Sequence, residues 1–238
     1  MHLPVQKLFD NLQVESPLSD IVSIWGDMGI GKTTLALQMA IYNVKKNKKV
    51  LFIYSKPQLP IERIQALSKD LSPDFRDKIH FIKITNFKKL YSYLLYFEFE
   101  ILNMKSTQKQ EIDLIIIDSL TDLYRIELNR FKKQKNYVMN YKLNHILGIL
   151  KYLKITYSID SIIVNEAVTL RDNEEMQDVE SGGKVMDFWI NKSIHLGRTE
   201  ILSVRKFKLF EEKDDEPTEL NYILTENGFE LYEKKLVN

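Results

Sequence analysis

The sequence has no cysteine. That excludes disulfides and thiolate metal sites, and it fits an intracellular setting. Charge of one sign is also missing. Lys and Arg number 34 against 33 Asp and Glu, so any polyanion would have to be met by a local patch rather than by the field of the whole molecule. No extended Pro-, Gly- or Ser-rich stretch suggests a linker, and the 238 residues read as one α/β domain spanning 1–238, with room for a sizeable core. Nowhere do ~18 apolar residues run together as a membrane span requires, and Met1–Gln13 lacks the continuous apolar centre of a signal peptide. The expectation is a cytosolic (cytoplasmic) protein with no membrane partner.

What is present is organised around one stretch. Gly26, Asp27, Met28, Gly29, Ile30, Gly31, Lys32, Thr33 and Thr34 read G-x-x-x-x-G-K-T. Ahead of them Ile21–Trp25 is short, apolar and β-branched, as a strand buried on both faces should be. Behind them Leu35, Leu37, Met39, Ala40 and Val44 recur at helical spacing, and Lys45 and Lys46 close the end where cations suit the helix dipole. Strand, glycine-rich loop and helix in that order make a phosphate cradle: the glycines let successive N–H groups turn inward at the helix N-terminus. Lys32 is placed to neutralise the β- and γ-phosphates of ATP, and the Thr33 hydroxyl to complete a Mg²⁺ shell.

Strands and helices then alternate. Lys49–Tyr54 and His80–Ile84 read as strands, Pro60 opens a helix carrying Ile61, Ile64, Leu67 and Leu71, and Phe87–Met104 reads as a helix whose aromatics belong to the core. Leu8, Phe9 and Leu12 suggest a short lead-in helix. Asp113–Ser119 is an apolar strand delivering an acid, Asp118, at its C-terminal end. In a phosphate-loop fold such a strand is expected beside the first, with Asp118 reaching Mg²⁺ through water. A helix over Asn136–Lys154 with Val138, Tyr141, Ile146, Ile149, Leu150 and Leu153 as its buried stripe leads to a buried strand, Ser161–Asn165. Glu166–Gly183 has no hydrophobic period and reads as a mobile loop. Phe188–Leu196, Thr199–Phe210 and Leu220–Leu224 read as antiparallel strands, joined by Gly197-Arg198 and by the acidic turn Glu211–Pro217.

These motifs and the residues around them resemble the RecA/RadA recombinase superfamily, and within it the short RadB-like members. Ile117–Arg125 is similar to the family's Walker B strand and first DNA loop. Ile163–Glu166 stands where the family has a strand ending in Asn-Gln, Gly182-Gly183 where it closes the second DNA loop, and Asn221–Phe229 looks like its last strand and turn. The resemblance covers nearly the whole chain, without a counterpart of the helix-hairpin-helix domain that precedes the core in RadA. It implies a RecA-like P-loop NTPase: a mostly parallel central sheet flanked by helices, with an antiparallel C-terminal extension. It also implies ATP and Mg²⁺ as cofactors, with Lys32, Asp118 and Glu166 in catalytic positions and Thr33 and Asp118 at the metal. Single-stranded DNA and a recombinase or other RecA-fold protein are the implied partners.

Departures from the family pattern bear on mechanism. Where relatives carry the glutamate that activates the attacking water, this chain has Lys56. An ammonium cannot act as a general base while protonated, so slow or absent hydrolysis is expected. Glu166 replaces the glutamine that senses the γ-phosphate; either a bound proton or an ion pair with Lys56 would neutralise it, and the pair is the favoured expectation. For DNA, Arg125, Arg130, Lys132, Lys133 and Lys135 form a basic stretch at the first loop, readable either as phosphate contacts or as a solvated loop. The second loop, Arg171–Glu180, is acidic and should repel a phosphate backbone. Lys206 and Lys208 lie two apart on one strand face, serving either DNA, a neighbouring subunit's γ-phosphate, or solvent alone. Beside DNA recombination and repair stands a second class, a KaiC-like nucleotide switch acting on a protein partner without DNA. An active hexameric motor is disfavoured by Lys56.

Overall fold

The computed structural model describes residues 20–69, 71–73, 77–107, 112–128, 133–172, 175–212 and 216–232, with side chains left out of the description at 133–135 and 170–177. The lead-in helix around Leu8, Phe9 and Leu12 therefore lies outside the described residues, as do Arg130 and Lys132.

The strands are β1 (Ile21–Gly26), β2 (Val50–Tyr54), β3 (Ile79–Lys83), β4 (Leu114–Asp118), β5 (Asp160–Val164), β6 (Ala167–Asp172), β7 (Glu175–Glu180), β8 (Lys192–Arg198), β9 (Val204–Phe210), β10 (Thr218–Thr225) and β11 (Gly228–Leu231). The helices are α1 (Lys32–Lys45), α2 (Ile61–Ser68), α3 (Phe87–Ser106), α4 (Leu120–Leu128), α5 (Lys133–Tyr157) and α6 (Gly183–Trp189). Among the described residues nine strands form one sheet in the order β11-β10-β9-β8-β1-β5-β4-β2-β3. From β8 to β3 every pairing is parallel; from β8 to β11 every pairing is antiparallel. This is a RecA-like α/β fold with an antiparallel C-terminal extension.

β2, β4 and β5 are buried at every position, which is why they read as continuous apolar runs rather than alternating ones. Their side chains divide between two cores. Phe52, Ile116, Ile162 and Val164 pack with α1 on one face; Ile53, Ile115, Ile117 and Ile163 pack with α3, α4 and α5 on the other. Each such burial contributes roughly 1.5–3 kcal/mol. In α3 only one side is inside: Phe87, Leu90, Leu94, Phe97 and Ile101 are buried, while Tyr96 and Phe99 face solvent.

Several sequence expectations are corrected. The strand carrying Asp118 does not lie beside β1; β5 is inserted between them. Strand order is set by non-local crossovers, which local patterning does not encode. Within the stretch expected as a mobile loop, 166–183, the described residues Ala167–Asp172 and Glu175–Glu180 instead pair as the antiparallel strands β6 and β7, a separate two-stranded sheet, whose base is closed by the Ser181 amide donating to the Glu166 carbonyl at 3.1 Å. Backbone pairing makes these strands although the side chains show no alternation. Phe188 belongs to α6 rather than to a strand, and β8 begins at Lys192 and runs parallel to β1. Ile201 and Leu202 lie in the turn before β9 and are exposed. The buried stripe of α5 is Met139, Leu143, Ile146, Leu147, Leu150 and Leu153; Val138 and Tyr141 point outward. Among the described residues no helix is long and apolar enough to cross a membrane.

Candidate functional site

The C-terminal ends of β1, β5 and β4 converge on one cleft, and the strand order dictates which residues meet there. β1 delivers the loop Gly26–Thr34, β4 delivers Asp118, and β5, between them, delivers Asn165 and Glu166. Open parallel sheets place ligands at this edge, where the loops following successive strands part.

The loop is held by contacts that need its glycines. Gly26 has φ +145°, and a Cβ there would stand 2.1 Å from the Leu196 carbonyl oxygen of β8. Gly31 has φ +111°, with the Phe229 ring 3.0 Å from where its Cβ would be. Phe229 in turn stacks on Tyr222 at 4.2 Å between centroids, and the Tyr222 hydroxyl donates to the Ile30 carbonyl at 3.2 Å. Ile30 anchors its side chain in the core, whereas Met28 and Gly29 are exposed. Arg198 Nε donates to Asp27 Oδ2 at 3.3 Å, fixing the outer side of the loop. The N–H groups of Lys32, Thr33 and Thr34 open the first turn of α1, where no carbonyl of the helix precedes them. Gly29, at φ +77°, borders open space. Together these make a concave, positively polarised backbone surface suited to phosphate oxygens.

Four of the expected site residues meet in two direct contacts, Lys32 with Glu166 and Thr33 with Asp118. Lys32 is 4% exposed, and its ammonium donates to the carbonyls of Gly26 at 2.8 Å and Asp27 at 2.6 Å and to Glu166 Oε2 at 2.7 Å. Thr33 Oγ1 donates to Asp118 Oδ2 at 2.7 Å. Asp118 is fully buried, which pushes its carboxyl above the usual range, against the opposing pull of Lys56 and of the Thr33 hydrogen bond. The peptide bond after Asp118 is cis. The expected Lys56–Glu166 pair is not formed. Glu166 pairs with Lys32, and Lys56 faces Asp118 Oδ1 at 4.0 Å, because β5 places Glu166 next to the phosphate loop while β2 places Lys56 beyond Asp118.

The residues fit a nucleotide and a hard divalent cation. Asp118 Oδ1 is buried without a hydrogen-bond partner, and it lies on the same carboxylate that the Thr33 hydroxyl touches. Among the described residues no group of three or more His, Cys, Asp or Glu is arranged to hold a metal. A Mg²⁺ here would therefore depend on phosphate oxygens to complete its shell, as this ion commonly does.

A carboxylate that sequence reading passed over lies directly behind the cleft. Glu180, at the end of β7, accepts from Ser23 Oγ of β1 at 3.1 Å and from Asn165 Nδ2. Desolvation raises its carboxyl to about 7, with Asp187 adding to the rise. An acid inside an acidic run gives no local signal of such a contact.

The basic residues are scattered. Arg125 lies on the exposed side of α4, lining a cavity of about 450 Å³ with Lys56, Ser55, Thr85 and Asp122. Lys133 and Lys135 fall in the first turn of α5, with side chains outside the description. Lys206 and Lys208 share one carboxylate, Glu219 of β10, at 3.0 and 2.7 Å.

Residues 20–142 match the AAA domain family. The chain is 29% identical over 218 residues to the DNA repair and recombination protein RadB of Methanococcus maripaludis, covering 90% of this chain and 92% of that protein. It is 28% identical over 197 residues to the RadB of Methanosphaera stadtmanae, covering 79% and 80%. The crystal structure of the RadB recombinase superposes with a TM-score of 0.72 at 21% identity, covering 98% of this chain and 100% of that one. The chain thus belongs to the AAA domain family, as a RadB-like member with the RecA fold.

Proposed function

We propose that this protein binds ATP with Mg²⁺ and assists DNA repair and recombination, with slow or absent hydrolysis, beside a recombinase or other RecA-fold partner. Residues 1–238 act in this reading as one ATPase domain. Support comes above all from the contact between Thr33 and Asp118 at 2.7 Å, which joins the phosphate loop to the acid two strands away and leaves the other carboxylate oxygen without a hydrogen bond. When bound, Mg²⁺ would supply charge neutralisation at the phosphates. The chain's own part is to orient it through Thr33 and Asp118 and to hold the phosphates through Lys32 and the loop amides.

Slow turnover follows from the acid–base inventory. Lys56 supplies no base at the position where the family resemblance places a glutamate, and Glu166, the carboxylate nearest to Lys32, is tied to that ammonium. A general base must be both free and within hydrogen-bond reach of the attacking water.

DNA contact in this reading is local and salt-sensitive. Arg125 is exposed, whereas Lys206 and Lys208 are shared with Glu219, and Asp178 is exposed on the hairpin. The same charge balance favours the rival reading, a nucleotide switch similar to the KaiC-like ATPases that contacts a protein through the acidic hairpin.

Titrating purified protein with ATP and Mg²⁺, and then with single-stranded DNA over a salt series, separates the two. The first reading expects turnover near the uncatalysed background and DNA binding that tightens with ATP and weakens steeply with salt. ATP binding with no DNA response at low salt points to the switch. Rapid DNA-stimulated hydrolysis overturns the slow-ATPase assignment.

A further inference from the structure

Lys32 carries three N–H bonds, and three acceptors are within hydrogen-bond distance of its nitrogen: the Gly26 carbonyl, the Asp27 carbonyl and Glu166 Oε2. An anion that enters the loop must either share Lys32 with these acceptors or displace one of them. The two carbonyls belong to the loop backbone, so Glu166 is the acceptor that can yield. Its backbone is held, because the Ser181 amide donates to the Glu166 carbonyl at the base of the β6–β7 hairpin, so the carboxylate leaves Lys32 only by turning its side chain. Nor does another cation take it up. Among the described residues Lys56 is directed at Asp118 and Arg198 at Asp27.

A phosphate-loop lysine reaches the β- and γ-phosphates. A carboxylate 2.7 Å from that ammonium therefore stands among the oxygens of the terminal phosphate. Both partners are largely shielded, at 4% and 17% exposure, so charge repulsion there is poorly screened. A β-phosphate can share Lys32 with Glu166; a γ-phosphate adds further negative charge beside the carboxylate.

We infer that Glu166 makes this loop prefer nucleoside diphosphate over nucleoside triphosphate, so that ADP is the resting ligand and ATP enters only by displacing the Glu166–Lys32 contact. The inference rests on the nucleotide-binding reading above and adds to it a specificity-determining residue.

Calorimetric titration with ADP and with the non-hydrolysable β,γ-imido analogue of ATP, both in excess Mg²⁺, tests it on the native protein and on Glu166→Gln. The native protein is expected to bind ADP about tenfold more tightly than the analogue. Glu166→Gln should tighten the analogue about tenfold while ADP moves less than about threefold. Equal native affinities for the two ligands, or a variant that tightens both alike, overturn the preference while leaving nucleotide binding intact. Failure of the native protein to bind either ligand overturns the nucleotide reading itself. The native ratio needs no variant, so the outcome does not depend on how the substitution folds.

Discussion

Two lysine–carboxylate pairs meet in one cleft and differ in kind. Lys32 and Glu166 are in contact at 2.7 Å and both mostly shielded, whereas Lys56 is 38% exposed and stands 4.0 Å from a fully buried Asp118. The first pair is a closed hydrogen bond that competes with ligand. The second is a long, partly hydrated attraction that leaves an Asp118 oxygen without a hydrogen-bond partner. The difference shows that strand order, not chain spacing, decides which charges pair. β5 lies between β1 and β4, so the acid that follows it, Glu166, meets the phosphate loop rather than Lys56, which follows β2.

The comparison breaks most severely at Lys32. Lys32→Ala should weaken ADP and ATP binding by about a thousandfold, since it removes the ammonium's charge-assisted bonds and leaves Glu166 unopposed beside the phosphates; loss of less than tenfold by calorimetry would show that the loop amides suffice.

Glu180 extends the comparison to a carboxylate that, among the described residues, meets no cation. Its folded-state value, near 7, lies above the ordinary 4.5, so the folded form takes up a proton that the unfolded chain has released. Its contribution to stability is full below about pH 4.5 and is lost as pH rises to about 7, by up to about 3 kcal/mol. Denaturant midpoints measured across that window should fall with rising pH, and Glu180→Gln should flatten the slope.

The two pairs can also be weighed directly. A double-mutant cycle on Lys56→Ala and Asp118→Asn should give a coupling below about 1 kcal/mol, as expected for a half-solvated pair; the cycle on Lys32→Ala and Glu166→Gln should exceed it. Equal couplings would erase the distinction. The smallest effect is expected at Lys56→Ala alone, within about 0.5 kcal/mol of native stability.

Much of the fold was legible because burial on both faces writes itself as unbroken apolar runs. Leu114–Ile117 and Ile162–Val164 could hardly be other than central strands. The phosphate loop was legible because its torsions demand glycine at particular places. Neighbour relations were not. Nothing local in Glu166 says that it will face Lys32 rather than Lys56, and nothing in the polar run around Asp178 says hairpin, because those strands are specified by pairing with each other rather than by a buried face. The stripe of α5 was legible at Ile146, Leu150 and Leu153 but misplaced in its first half, where Val138 and Tyr141 were expected inside and Met139 and Leu143 are; a helix bearing aromatics on more than one side blurs its own period.

The brace behind the loop has a consequence for how the protein comes into being on the ribosome. Tyr222 and Phe229 hold Ile30 and Gly31 from 192 residues or more away along the chain. At translation rates of roughly 5–20 residues per second, the first strand and its loop emerge about 10–40 seconds before the hairpin that supports them. Until then the loop lacks its backing, so nucleotide capture is timed to the arrival of the C-terminal strands, and an aborted chain would be unable to sequester it.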